Sequence, residues 1–240
     1  MIEKLVRFSL NESSPELFVE GNMVIPDNPI GMVVFAHGSG SSKESPRNKK
    51  IASIFNRMGL STLPIDLLTY EENEMDLRVQ KIEDKIPGLV LNKFNIELLT
   101  QRLVTITKWL GNNMSLPVKN IGYFGSSTGA PATFLAASKL SKIIEDGVYD
   151  NSIKAIVSRG GRTDLIADTN ILKHMNIPSL FIVGSKDDQI IKVNKKTMNE
   201  FNPLTKSKME IIDGASHLFE EEGKIEKVAD IAGNWFLKFL

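Results

Sequence analysis

The chain has no cysteine among its 240 residues. Disulfides and thiolate metal sites are therefore excluded, which fits a reducing compartment. It has only three histidines, His37, His174 and His217, so few groups can act as a base near neutral pH. It has no excess of either charge: 29 Lys and Arg stand against 29 Asp and Glu. Nothing here points to nucleic acid or an anionic membrane as partner. No apolar run approaches the roughly 18 residues of a membrane span. The first residues, Met1 to Phe8, carry no apolar signal-peptide core. The expectation is a soluble cytoplasmic protein.

What is present suits one sizeable domain. With 42% hydrophobic residues the chain can bury a large core, and its length fits a single domain over 1–240. Leu5–Leu10 and Leu17–Ile25 alternate apolar and polar residues and read as an antiparallel pair at a sheet edge, joined by a turn over 11–15. Apolar strand runs follow at 31–36, 61–66, 121–124, 153–158, 178–184 and 208–212. Helical patterns fall at 46–58, 95–112, after residue 129, at 140–147, at 164–175 and at 222–240. The last has Ile225, Val228, Ile231, Trp235 and Phe239 as its inward stripe. Alternating strands and helices predict an α/β fold, a mostly parallel sheet of about seven or eight strands with helices on both faces. The charged stretch 69–84 reads as a solvated loop with a short helix, or as a flap over a site.

The chemistry concentrates at the ends of these strands. Residues 121–139 are strand, tight turn and alanine-rich helix, with Gly125-Ser126-Ser127-Thr128-Gly129 at the turn. This is the G-x-S-x-G elbow, in which the central serine occupies a strained corner above the sheet. Gly125 and Gly129 let strand and helix pass closely, and the new helix points free N–H groups at the serine. The pattern alone is weak, since it arises by chance in about 5–10% of chains this long. Partners decide it. A serine hydroxyl needs a base, and His217 lies on a loop just after the last strand. His174 reads as a surface helix residue. The base needs a carboxylate to orient it. Asp187, three residues past the strand-ending Gly184, is chosen over Asp188. An oxyanion hole needs two N–H donors, expected from Thr128 and from Ser39 in the loop after strand 31–36. His37 then pins that loop.

Four segments carry a resemblance: HGSGSSKESPRN (37–48), GYFGSSTGA (122–130), VSRGGRTDL (157–165) with IPSLFIVGSKDDQII (177–191), and GASHLFEEEG (214–223). Together they resemble the α/β-hydrolase superfamily, and more narrowly its dienelactone-hydrolase-like branch. They are also similar to small bacterial and archaeal hydrolases, some fused to or encoded beside phosphoribosyltransferase-like domains. The resemblance implies an α/β-hydrolase fold. The chain order Ser127, Asp187, His217 fits that scaffold. The gap between the strands at 153–158 and 178–184 holds about one helix, so no large cap is expected. True dienelactone hydrolases carry cysteine at the elbow; Ser127 departs from that and leaves the lactone substrate open.

The implied activity is cleavage of a small ester, thioester or lactone through an acyl-enzyme. Neither metal nor organic cofactor is called for. A peptidase or acyltransferase would use the same residues, and a non-catalytic binding module is the rival of another class. Arg159, Arg162 and Arg47 lie near the strand ends. They read either as a grip for an anionic acyl substrate or as ion-paired braces of loops. Phe219 and Met32 read as core, with lining of an acyl pocket as the alternative. A homo-oligomer is left open.

Overall fold

The computed structural model describes the chain except residues 12, 13, 15, 81–88, 113–119 and 146–152, with only the backbone of 142–145. Eight strands form one sheet: β1 (Ile2–Ser9), β2 (Phe18–Ile25), β3 (Met32–Ala36), β4 (Ser61–Ile65), β5 (Ile121–Ser126), β6 (Ile153–Arg159), β7 (Ser179–Gly184) and β8 (Ser207–Ile212). Their spatial order is β1-β2-β4-β3-β5-β6-β7-β8. The β1–β2 and β2–β4 pairings are antiparallel, and β4 through β8 run parallel. The central runs are buried on both faces, which is why they read as continuous apolar stretches rather than alternating ones. The turn expected at 11–15 lies partly outside the described residues.

Helices cover both faces. On one side lie α3 (Ile96–Asn112) and α4 (Gly129–Glu145), packed over Met32, Val34, Tyr123 and Phe181. On the other lie α1 (Pro46–Arg57) and α7 (Lys224–Phe239), packed over Phe35, Phe124, Val157 and Ile182. The rings of Phe35, Phe55, Phe124 and Phe236 meet here at centroid distances of 4.9–6.0 Å. All four are essentially fully buried, each contributing about 1.5–3 kcal/mol of transfer free energy. Helix α1 starts at Pro46, with the Ser45 hydroxyl accepting the Asn48 N–H. Proline at the first helical position loses nothing, because that N–H would be unpaired anyway.

Several expected elements differ. The run 140–147 is not a second helix, for α4 continues without a break to Glu145; 146–147 lie outside the described residues. The helix expected over 164–175 is only a 3-10 turn (Thr163–Leu165) and a four-residue α5 (Asn170–Lys173). The Asp168 carboxylate accepts the Asn170 N–H at 3.0 Å, a local bond that competes with helix formation. On α7 the fully buried residues are Val228, Ala229, Ala232 and Phe236, while Ile231, Trp235 and Phe239 flank them. Met32 and Phe219 are fully buried, in clusters on opposite faces, and so are core.

Helix α6 (Asp188–Asn199) has no counterpart in the sequence reading. Its buried positions are Ile190, Asn194 and Thr197. Two of the three are polar, and both bond to the 161–163 loop. The charged stretch after β4 forms a well-anchored α2 (Tyr70–Val79), opened by a capping box between Thr69 and Glu72. Asp76 is buried and accepts the Asn92 and Lys93 N–H groups, both at 2.8 Å. Glu72 also pairs with Arg102 at 2.6 Å. These charges hold structure rather than face water.

Candidate active site

The C-terminal ends of β3, β5, β6, β7 and the loop after β8 converge at one edge of the sheet. Ser127 sits at the end of β5 with φ of 49°, the left-handed region that costs a non-glycine residue about 1–2 kcal/mol. Bonds from the next strand hold it there. Its N–H donates to the Arg159 carbonyl and its carbonyl accepts the Arg162 N–H, both at 3.1 Å. Helix α4 then passes so close to the β3 loop that a Cβ on Gly129 would lie 2.4 Å from the Ala36 carbonyl oxygen.

Asp187 and His217 are brought together by their loops. The Lys186 N–H donates to the Ala215 carbonyl at 3.0 Å, and the Gly214 N–H to the Ser185 hydroxyl at 2.8 Å. Asp187 occupies the position before α6, yet its side chain does not cap that helix. Its carboxylate instead lies 2.5 Å from His217 Nδ1. Asp188 is exposed in the first turn of α6. His217 Nε2 is 3.3 Å from Ser127 Oγ, a long contact of the kind that tightens when substrate binds. With Nδ1–H donating to the carboxylate, Nε2 is free to accept the serine proton.

Sequence reasoning missed the supports of this arrangement. The Ser216 N–H donates to both carboxylate oxygens of Glu221, at 3.0 and 3.1 Å, and the Ser216 amide holds that carboxyl below the usual range. Asn194 Nδ2 donates to the Gly161 carbonyl at 2.8 Å. Thr197 and Thr163 hydroxyls meet at 2.8 Å, which fixes the 160–163 loop to α6. Only the strand-end position of residues 159–162 hinted at such a role.

His37 pins its loop as expected. The Leu67 N–H donates to Nε2 at 3.1 Å, which leaves Nδ1–H to donate to the Gly38 carbonyl at 2.9 Å. Burial holds the ring neutral by lowering its pKa. Lys43 in the same loop is anchored on Asp66 at 2.7 Å. Ser39 and Thr128 face each other, but the Ser39 N–H is engaged: it donates to Thr128 Oγ1 at 2.7 Å. His174 is exposed, at the end of α5.

Each of the three arginines singled out has a partner within the protein, but the buried Nε of Arg47 and Nη1 of Arg159 have none among the described residues. Arg162 forms a two-pronged pair with Asp164 at 2.7–3.2 Å. Arg47 pairs with Glu220 at 2.6 Å. Arg159 is 7% exposed; its Nε donates to the Ser126 hydroxyl at 3.2 Å, and its guanidinium lies 5.9 Å from the centre of the Phe219 ring. Burial, with a smaller contribution from the charge of Arg47, lowers its pKa to about 10. Among the described residues no cluster of three or more His, Asp or Glu is arranged to hold a metal, and no helix is long and apolar enough to cross a membrane.

Sheet order and loop placement are those of an α/β hydrolase. A dienelactone hydrolase from Anabaena variabilis is similar along its whole length: 40% identity, 100% of this chain and 98% of that one, TM-score 0.84. Est1E from Butyrivibrio proteoclasticus shares the fold at 12% identity and TM-score 0.72, with 98% of each chain covered. Two Mycobacterium tuberculosis proteins carrying a provisional phosphoribosyl transferase name are 38% identical over 222 residues, 92% of this chain and 44% of theirs. The chain thus spans less than half the length of those curated relatives. No protein-family model matches it. The chain belongs to the dienelactone-hydrolase-like branch of the α/β-hydrolase superfamily.

Proposed function

We propose that the protein is a serine hydrolase that cleaves a small carboxylic ester, thioester or lactone through Ser127, His217 and Asp187. The observation that carries this reading is the continuous line from Ser127 Oγ through the His217 ring to the Asp187 carboxylate, with Ser127 at a strained strand-to-helix corner. Ser127 Oγ attacks the carbonyl carbon while its proton passes to His217 Nε2. Asp187 holds the tautomer and stabilises the imidazolium. The carbonyl π electrons move onto oxygen, which the Thr128 N–H and the loop containing Ser39 stabilise. The tetrahedral intermediate collapses, and the leaving group departs with the proton from Nε2. Water then adds to the acyl-enzyme with His217 again as base, releasing the acid and restoring Ser127.

Arg162 and Arg47 we assign to bracing because each pairs with a carboxylate, and Arg159 because its Nε is held by Ser126, although its buried Nη1 has no partner among the described residues. Covalent labelling with a fluorophosphonate, read by peptide mass spectrometry, tests the assignment. The label is expected on Ser127 in the wild type and absent in Ser127→Ala. In His217→Ala it should slow by orders of magnitude. Folded wild-type protein that takes no label, or takes it elsewhere, overturns the reading.

A further inference from the structure

The Ser39–Thr128 hydrogen bond bears on how the reaction's negative charge is held. The usual arrangement needs two backbone N–H groups aimed at the forming oxyanion. One of the two expected here, Ser39 N–H, is spent on a side chain at 2.7 Å. That side chain belongs to the residue next to the nucleophile. Thr128 is 2% exposed, and β3's loop and α4 approach too tightly at Gly129 to leave it much freedom. A threonine hydroxyl can accept and also donate one hydrogen bond. Thr128 Oγ1 accepts from Ser39, and among the described residues its proton has no acceptor. Beside this bond is a cavity of about 10 Å³ lined by Gly38, Ser39, Gly40, Leu68, Leu99 and Thr128, among others. Asn73 and Lys93 line it too, whereas Ser127 and His217 do not.

We propose that the Thr128 hydroxyl is itself an oxyanion donor, and that Ser39 N–H acts one bond behind it. Accepting from an amide polarises the hydroxyl, so its own proton becomes a stronger donor. Thr128 thereby presents two donors to one oxygen, its N–H at the start of α4 and its Oγ1–H. Ser39 fixes the hydroxyl's direction. The residue after the nucleophile becomes a catalytic residue through its side chain as well as its backbone. This inference rests on the serine-hydrolase reading above.

The rate of phosphonylation by a fluorophosphonate, resolved into the maximal rate and the half-saturating concentration, tests it. The phosphoryl oxygen occupies the place of the oxyanion. Thr128→Val keeps the shape and removes the hydroxyl, and should lower the maximal rate about 100-fold with the half-saturating concentration little changed. Thr128→Ser should recover at least tenfold over the valine variant. If Thr128→Val does not fold, by circular dichroism, Thr128→Ala is read in its place. A valine or alanine variant as fast as the wild type, or faster, overturns the proposal, because Ser39 N–H would then act directly once freed. An equal loss in the serine and valine variants also overturns it, by making packing the cause. A wild type that takes no label on Ser127 fails earlier, and removes the serine-hydrolase reading itself.

Discussion

Replacing Ser127 by glycine should give a more stable protein than replacing it by alanine. Both substitutions remove the hydroxyl and its contact with His217, so that loss cancels in the comparison. They differ at the backbone. The φ of 49° costs alanine about 1–2 kcal/mol, as it does serine. Glycine escapes that cost but gives up about 0.5–1 kcal/mol to the greater freedom of its unfolded chain. The corner cannot relax on its own, because the Arg159 carbonyl and the Arg162 N–H hold residue 127 from both sides. The difference left in favour of glycine is about 0–1.5 kcal/mol, centred near ~0.75. For a domain of this size the centre corresponds to roughly 1.5–3 °C in Tm. Differential scanning fluorimetry of the two inactive variants, side by side, reads it. A Ser127→Gly protein that melts with or below Ser127→Ala would refute the claim that strain is stored at the nucleophile.

Two further outcomes are expected. His37 is buried neutral with a lowered pKa, so the unfolded chain binds a proton that the folded one does not. The contribution of His37 to stability is therefore full above about pH 6.5 and is lost as pH falls below it, towards the folded pKa. His37→Gln should be less stable at pH 8 yet show a flatter fall in Tm between pH 7 and 5; an unchanged slope would contradict this. Arg159→Met should slow hydrolysis of neutral and of carboxylate-bearing p-nitrophenyl esters by similar factors. A loss confined to the charged ester would return Arg159 to the substrate.

Much of this was legible because the parallel strands are unbroken apolar runs, so their ends can be read by eye. Ser127, Asp187 and His217 each lie a few residues past such an end, and a shared sheet edge follows from that. What the sequence hid is polar and inward-facing. Helix α6 puts Asn194 and Thr197 on its inward face beside Ile190, and their partners in the 161–163 loop are more than 30 positions away. Asp76 and Glu72 read as solvated charges, since their partners at Asn92, Lys93 and Arg102 are 16 to 30 positions away. Arg159 looked free for the same reason. Its companions, Ser126 at the end of β5 and Phe219 in the loop after β8, lie on other elements. The engagement of Ser39 by Thr128 spans 89 positions, and no local pattern announces it.

The sheet divides the interior into two apolar clusters, one under α3 and α4 and the other under α1 and α7. The reacting groups hang from the rim between them. A change of volume on one side reaches the site through α4, which starts just after Ser127, and on the other through Ala215 and Phe219, which flank His217. The sheet is a wall, and each side carries one end of the reacting line: the nucleophile's helix on one face, the histidine's loop on the other. A core substitution on the α3–α4 side should therefore disturb the aim of Ser127 first, and one on the α1–α7 side the aim of His217.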